Sequence, residues 1–239
     1  DDFSGCVIYS DLERIGNIET SDPLVNRLFL NALWGQKGNF LDVPTDCPQR
    51  DERLGWTGDV LSFSGTGCFN MDCDAFYHKF LYDLYQEQQE RNGGVPPFVP
   101  VFKTDIVDGK RFEQDMFAPP GACGWADAAT VVPWNNYLHY GDKSILKQQF
   151  ASMKAWVDAI KRFDTGNRLW DSGFHFGDWL ALDACNPDDP FGGTSKVFLA
   201  SCFYYYSAVL VSKVSKILPR QKGYANRSRQ PPAAPAYSN

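Results

Sequence analysis

A short stretch of the chain concentrates charged side chains of the kinds that acid–base chemistry uses. Residues 46–59 hold four carboxylates, two arginines and one tryptophan: Asp46, Arg50, Asp51, Glu52, Arg53, Trp56 and Asp59. Charged side chains are rarely buried without partners, so this density predicts either a salt-bridged structural junction or a polar pocket. The composition of the segment does not choose between the two.

In the pocket interpretation, the residue types suggest a role for each group. Asp46 and Asp59 can accept hydrogen bonds from sugar hydroxyls, and Arg50 can hold a carboxylate or an alcohol. The tryptophan can stack on a sugar ring, and Glu52 or Asp51 can donate a proton to a leaving group. These roles together describe a site that binds a sugar and protonates a bond to it.

The string Asp46-Cys-Pro-Gln-Arg-Asp-Glu-Arg-Leu-Gly-Trp-Thr-Gly-Asp59 resembles the signature of the bacterial α-L-rhamnosidases, the inverting glycoside hydrolases of family 78. The similarity extends from about Ser10 through Trp125 to Phe176-Gly-Asp-Trp179 and a helix ending near Leu218. The resemblance implies that Glu52 is the general acid. It also implies six residues that bind the rhamnosyl ring, the last two as a second wall: Asp46, Arg50, Trp56, Asp59, Asp178 and Trp179.

The resemblance further implies a fold, a substrate and a reaction. The expected fold is all-α, a partial (α/α)₆ toroid of about six helices that forms the N-terminal half of the catalytic domain. The expected reaction is hydrolysis of terminal non-reducing α-L-rhamnose from a rhamnose-containing glycoside, with inversion. The family's general base is a Glu in the second half of the barrel, so we expect it to be missing here and the truncated chain alone to be inactive.

Two other interpretations remain open at this stage. The chain could be a catalytically silent fragment that binds carbohydrate or folds as part of an assembly. It could also belong to another (α/α)₆ glycosidase, such as one that acts on glucosides.

Hydrophobic periodicity independently predicts helices that could position these residues. Ser21 or Asp22 followed by Pro23 is a helix start. The predicted helices run from Pro23 to about Gly38 and over residues 57–70, 72–90, 125–140, 142–163 and 195–218. Long loops over 92–124 and 164–193 are predicted to form functional rims.

Three segments are expected from the change in sequence character along the chain. Residues 1–20 alternate in polarity and carry β-branched side chains, which predicts a short β segment from the end of an upstream β-sandwich domain. Residues 21–218 would form the first half of the barrel. Residues 219–239 lack Ile, Leu, Val and Phe and are expected to be a disordered tail unrelated to the family.

Composition excludes several classes of partner. The formal net charge of −6 argues against nucleic acid, and no membrane association is expected because no apolar run approaches about 20 residues. Seven cysteines without a CxxC pair predict reduced, mostly buried thiols, no zinc site and no cofactor, and favour the cytoplasm. A half toroid would expose apolar helix faces, which predicts self-association.

Overall fold

The computed structural model describes residues 3–101, 106–107, 110–111, 118–182 and 190–219. These residues form six helices: α1 (Pro23–Asn39), α2 (Thr57–Asn70), α3 (Asp74–Glu90), α4 (Ala128–Tyr140), α5 (Lys143–Lys161) and α6 (Lys196–Ile217). All six predicted helices are therefore confirmed, with boundaries shifted by a few residues at most.

Local capping explains where several helices begin and end. Asp22 caps α1 by accepting a hydrogen bond from the Leu24 N–H at 2.8 Å, and Pro23 occupies the first turn. The Gly141 backbone is left-handed, with φ of 70°, which ends α4 and lets α5 start almost at once. These signals lie in adjacent residues, so the sequence alone was enough to predict them.

Helices α2 to α6 pack in two rows, with α2, α4 and α6 in one row and α3 and α5 in the other. α4 is central because it contacts each of the other four, and α3 also contacts α5. Small and β-branched residues at the start of α4, including Ala128, Ala129 and Val132, are fully buried and allow this close packing. Helical hairpins that pack side by side in this way are the repeating unit of an α/α toroid.

The β structure is minor and differs from the prediction. Two antiparallel pairs occur, β1 (Phe40–Leu41) with β2 (Val43–Pro44) and β3 (Ile106–Val107) with β4 (Lys110–Arg111). The expected β segment over residues 3–20 is not confirmed, since the only ladder contact there is an isolated bridge between Arg14 and Met71. A strand needs a partner strand for its backbone groups, and here the segment makes only scattered backbone bonds, from the Ser10 N–H to the Phe40 carbonyl oxygen and with residues at the end of α2.

The cysteine prediction is met in part. Among the six described cysteines all are free; Cys68, Cys73 and Cys123 are buried, whereas Cys47 is half-buried and Cys6 and Cys202 are exposed. The expected disorder of the C-terminal tail concerns residues that, after 219, lie outside the described part of the chain.

Helix α6 is more apolar than the sequence analysis allowed. A window of 18 residues within this 22-residue helix has a mean hydropathy of 1.4, so by length and composition alone it could cross a bilayer. In the structure one side of α6 packs against α4 and α5 and buries Ala200, Leu210 and Val214. Only 22% of the apolar window is buried, so many of the apolar side chains of α6 face outward.

Candidate active site

One cavity collects the residues for which the resemblance implied a catalytic or sugar-binding role. All seven line it: Asp46, Arg50, Glu52, Trp56, Asp59, Asp178 and Trp179. Its volume of about 1390 Å³ exceeds the roughly 300–1,000 Å³ typical of small-molecule sites. The walls come from the 46–59 segment and the first turn of α2, the turn before α4, and the loop before α6.

Backbone hydrogen bonds hold both ends of the 46–59 segment in place. The Asp46 N–H donates to the Leu54 carbonyl oxygen at 2.9 Å, and Leu54 is buried beneath the loop. Beyond it, the Thr57 N–H donates to the Pro97 carbonyl at 2.9 Å, which ties the start of α2 to the 92–101 loop. The charged side chains between these anchors therefore project from a loop whose ends are held.

Glu52 is held at both carboxylate oxygens. Oε1 accepts a hydrogen bond from Trp56 Nε1 at 2.8 Å. Oε2 accepts from Arg50 Nε at 3.0 Å, and Arg50 Nη2 completes an ion pair at 2.7 Å. The Glu52 side chain is 22% exposed and that of Arg50 64%, so the arginine lies on the rim and the carboxylate deeper.

Asp46 and Cys47 form a second polar pair beside Glu52. The Cys47 thiol donates to Asp46 Oδ2 at 3.2 Å, and this bond is the main reason why the pKa of the thiol is raised. Asp46, Cys47 and Glu52 each place a possible metal-ligand atom within 4.8 Å of the others. The Cys47 thiol keeps its proton and bonds to Asp46, and Glu52 is bonded to Arg50 and Trp56. The three side chains therefore have hydrogen-bond partners within the protein.

Asp59 is the carboxyl group of the cavity with the most altered acidity. It lies in the first turn of α2 and opens onto the cavity, where the residue is exposed to solvent although the protein around it removes part of the hydration of its carboxyl group. This desolvation raises its pKa from 3.8 to about 6, and the negative charges of Asp46 and Glu52 act in the same direction. The Asp59 carboxyl group therefore gains or loses its proton near pH 6.

Asp178 and Trp179 form the opposite wall. Asp178 Oδ2 accepts a hydrogen bond from the Thr194 N–H at 3.0 Å, and Trp179 pairs with Phe191 through an isolated bridge. The Trp179 side chain remains 43% exposed. Asp178 thus braces the wall as well as lining the cavity, a structural role that the sequence did not indicate.

Phe176 joins three tryptophans into one aromatic cluster and was not predicted to be a site residue. Its ring stacks on Trp125 with centroids 4.2 Å apart, and it meets Trp56 and Trp179 edge-on at 6.4 and 5.6 Å. Phe176 itself is only 4% exposed. Trp125 thus packs against Phe176 and also lines the cavity.

A buried network holds the turn that carries Trp125. Asp127 is fully buried; its Oδ2 accepts from the Gly124 N–H at 2.9 Å, while Oδ1 accepts from Trp156 Nε1 at 2.9 Å and Ser207 Oγ at 2.5 Å. Burial raises the pKa of Asp127, against the effect of these donors. The Asp127 side chain makes no cap bond to α4 and instead links the turn before α4 to α5 and α6.

His175 holds the turn before α4 through hydrogen bonds of its ring. Its Nδ1 accepts from the Cys123 N–H at 3.1 Å, and its Nε2 lies 3.2 Å from the Ser172 carbonyl oxygen. Burial lowers the pKa of His175 to about 4. A neutral ring therefore supports the turn before α4 from behind the cavity.

Sequence comparison relates the chain to known proteins. The family model described as bacterial alpha-L-rhamnosidase 6 hairpin glycosidase domain matches residues 13–233. An alpha-L-rhamnosidase of Formosa agariphila is 34% identical over 92% of this chain and 22% of its own length. Another, from an Alteromonas species, is 36% identical over 87% of this chain and 21% of its own length.

Structural comparison gives relatives of the same family. The crystal structure of an Aspergillus terreus α-L-rhamnosidase has a TM-score of 0.75 at 38% identity, over 87% of this chain and 23% of that one. The Streptomyces avermitilis α-L-rhamnosidase complexed with L-rhamnose has a TM-score of 0.74 at 32% identity, over 87% and 18%. The chain therefore spans about a fifth of the length of the proteins that it matches.

Proposed function

Because the chain belongs to the bacterial α-L-rhamnosidase six-hairpin glycosidase family, we propose that it forms the rhamnose-binding, acid-supplying half of a catalytic pocket. The longer enzyme would hydrolyse terminal non-reducing α-L-rhamnose from glycosides with inversion. The observation that supports this most strongly is the convergence of all seven expected residues on one cavity. The length of chain shared with the relatives supports the view that this is one part of a larger catalytic unit.

Glu52 is proposed as the general acid. A glycosidic oxygen is a poor leaving group, so an acid must protonate it as the bond breaks. Glu52 projects into the cavity, and the hydrogen bonds from Trp56 and Arg50 fix the directions of its two oxygens. Arg50 lies on the exposed rim, so a substrate can displace it from Oε2 and take its place beside the carboxyl group.

The remaining cavity residues are proposed to hold the rhamnosyl ring. Asp46 and Asp59 would bond its hydroxyls, and a carboxyl group with a pKa of about 6 can act as acceptor or donor there. Trp56 and Trp179 would lie against the C–H face of the sugar, with Asp178 contributing from the same wall. In this assignment, the polar side chains of the cavity bind the hydroxyl groups of the sugar, and the aromatic side chains contact its C–H groups.

The general base is proposed to lie in the remainder of the longer protein. An inverting enzyme needs a second carboxylate roughly 6.5–9.5 Å from the acid to activate water from the opposite face. We accordingly propose that residues 21–218 form the first half of the barrel, that residues 1–20 link it to a preceding domain, and that residues 219–239 lie outside it. On this proposal the 239-residue chain binds rhamnose without hydrolysing glycosides.

Binding by the chain itself tests the pocket. L-rhamnose added to the 239-residue chain should quench or shift tryptophan fluorescence and give saturable heat on calorimetry, whereas L-arabinose should bind more weakly. Asp46→Ala should weaken rhamnose binding tenfold or more, while Asp171→Ala, an exposed aspartate outside the cavity, should leave it unchanged. Equal affinity of the Asp46 variant and the parent would contradict the proposed pocket.

Hydrolysis by the longer enzyme tests the role of Glu52. Glu52→Gln should lower kcat on an alkyl α-L-rhamnoside by roughly 10²–10⁴-fold, because general acid catalysis contributes about that much. The loss should be far smaller on a 2,4-dinitrophenyl rhamnoside, whose leaving group needs no proton. Glu90→Gln, at the exposed end of α3, is the matched control. A similar loss on both substrates would exclude Glu52 as the acid.

A further inference from the structure

Three metal-ligand side chains converge away from the cavity. Asp74 opens α3, His78 follows one turn later, and Asp142 caps α5. His78 Nε2 lies 3.6 Å from Asp74 Oδ1 and 3.9 Å from Asp142 Oδ2. The group sits where α2 and α4 end, whereas the cavity is built where α2 and α4 begin, so the two are at opposite ends of the helical layers.

The hydrogen bond on the other side of the imidazole fixes its tautomer. His78 Nδ1 lies 2.8 Å from Gln148 Oε1. An amide oxygen can only accept, so the proton of the ring is on Nδ1, and in the neutral ring Nε2 presents its lone pair to the two carboxylates. A metal-binding histidine is typically oriented in this way, with its second nitrogen donating to an oxygen acceptor.

The converging atoms are all acceptors, and of the two carboxylate oxygens only Asp142 Oδ2 has a donor among the described residues, the Ser144 hydroxyl. One ligand atom from each of the three residues lies within 4.8 Å of the other two. Asp74 Oδ1 is shielded from solvent, yet it accepts no hydrogen bond from any residue that the structure describes. A shielded carboxylate oxygen without a donor is costly, and the cost disappears if a cation occupies the space between the three atoms.

We propose that Asp74, His78 and Asp142 bind a divalent transition-metal ion of the zinc type, with Gln148 orienting the imidazole. Zn²⁺ takes oxygen and nitrogen ligands at about 2.0–2.2 Å, which in a tetrahedron places neighbouring ligand atoms about 3.4 Å apart. The distances of 3.6 and 3.9 Å need only a small contraction to reach this spacing. The ion would join the start of α3 to the start of α5 and stabilise the end of the helical layers away from the cavity.

Calorimetric titration of the chain with ZnCl₂ tests the site. Exposed thiols also bind zinc, so the titration is done in a Cys6→Ser, Cys202→Ser background. This background should take up one more equivalent of zinc than its His78→Ala derivative, and excess zinc should raise its Tm while leaving that of the His78→Ala derivative much less changed. His139→Ala, which removes an exposed histidine from α4, is the matched control and should bind zinc like the background.

Asp142→Asn gives a second reading, because it keeps an oxygen to cap α5 but weakens the metal ligand. It should lower zinc affinity tenfold or more with little change in the Tm of the metal-free chain. Equal zinc stoichiometry and affinity in the background and the His78→Ala derivative would overturn the proposal.

Discussion

Glu52 and Asp59 lie in the same cavity but in different surroundings. Glu52 has a donor at each oxygen and a guanidinium beside it, whereas Asp59 opens onto the cavity and faces the negative charges of Asp46 and Glu52. Partial desolvation and these two charges raise the pKa of the Asp59 carboxyl group to about 6. In the proposed pocket, a sugar that excludes water from Asp59 would favour its protonated form further.

The raised pKa of Asp59 makes a prediction about stability. A carboxyl group with a pKa of about 6 in the folded chain and 3.8 when unfolded binds more protons in the folded state between these values. The free energy of unfolding should therefore fall as pH rises from about 4 to about 6, and stay constant above that. The difference between the parent and Asp59→Asn in urea unfolding should show this slope. A difference that does not vary with pH would contradict it, and Asp171→Asn should show no such slope relative to the parent.

At the scale of elements, the cavity depends on how the starts of α2, α4 and α6 are joined. The Asp127 carboxylate accepts hydrogen bonds from the turn before α4, from a tryptophan of α5 and from a serine of α6. Since that turn carries Trp125, the position of one cavity wall depends on contacts made well behind it.

Asp127→Ala should destabilise the fold strongly. The change leaves the Gly124 N–H, Trp156 Nε1–H and Ser207 hydroxyl without their buried acceptor, which costs on the order of 3 kcal/mol or more. Asp127→Asn should cost less, because the amide oxygen can still accept from the last two. Urea denaturation measures both, and Asp158→Ala, which removes an exposed ion pair with Lys154, should change stability by less than about 1 kcal/mol.

The first turn of α2 requires a glycine against Trp125. A Cβ on Gly58 would lie 2.5 Å from the Trp125 indole, whereas a Cβ on Gly65, in the same helix, would meet nothing closer than 3.9 Å. Gly58→Ala should therefore displace Trp125 and weaken rhamnose binding severalfold. Gly65→Ala should leave binding unchanged and raise stability by about 0.5–1 kcal/mol, because alanine favours the helix. Fluorescence titration and urea unfolding separate the two effects, and unchanged binding by Gly58→Ala would contradict the first.

The helices could be predicted because their determinants are local, whereas contacts between distant segments could not. The Asp22 cap, Gly141 and the apolar stripe of α5 all act within a few residues. By contrast, the alternating pattern of residues 3–20 predicted a strand whose partner is not among the described residues. The same limit applies to the cavity, where a contiguous motif revealed the Asp46–Asp59 wall but nothing in the sequence indicated that Phe176 would meet Trp56.

At the scale of the whole molecule, two helices present apolar side chains to solvent. On α1 these include Leu24, Leu28 and Trp34, and on α6 Phe198 and Tyr205. In a monomeric protein, contiguous apolar surface on this scale usually marks an interaction face. Such faces agree with the proposal that the chain is one part of a larger barrel.

The isolated chain is accordingly expected to self-associate. Sedimentation velocity should show a weight-average sedimentation coefficient that rises with protein concentration. Phe198→Ser should reduce this rise, because it removes an exposed ring from α6, whereas Leu182→Ser, in an exposed loop, should not. Sedimentation independent of concentration, or equal in the two variants, would contradict the expectation.

The aromatic cluster around Phe176 also has a thermodynamic consequence. Because this ring is buried among Trp56, Trp125 and Trp179, the three tryptophans lose much of their rotamer freedom when the chain folds. Fixing a side chain at an interface costs about 0.5–1.5 kcal/mol in entropy, and here much of that loss precedes the arrival of a ligand. A rigid sugar ring that enters the cavity would therefore meet a preorganised wall, and its affinity would be reduced little by the ordering of protein side chains.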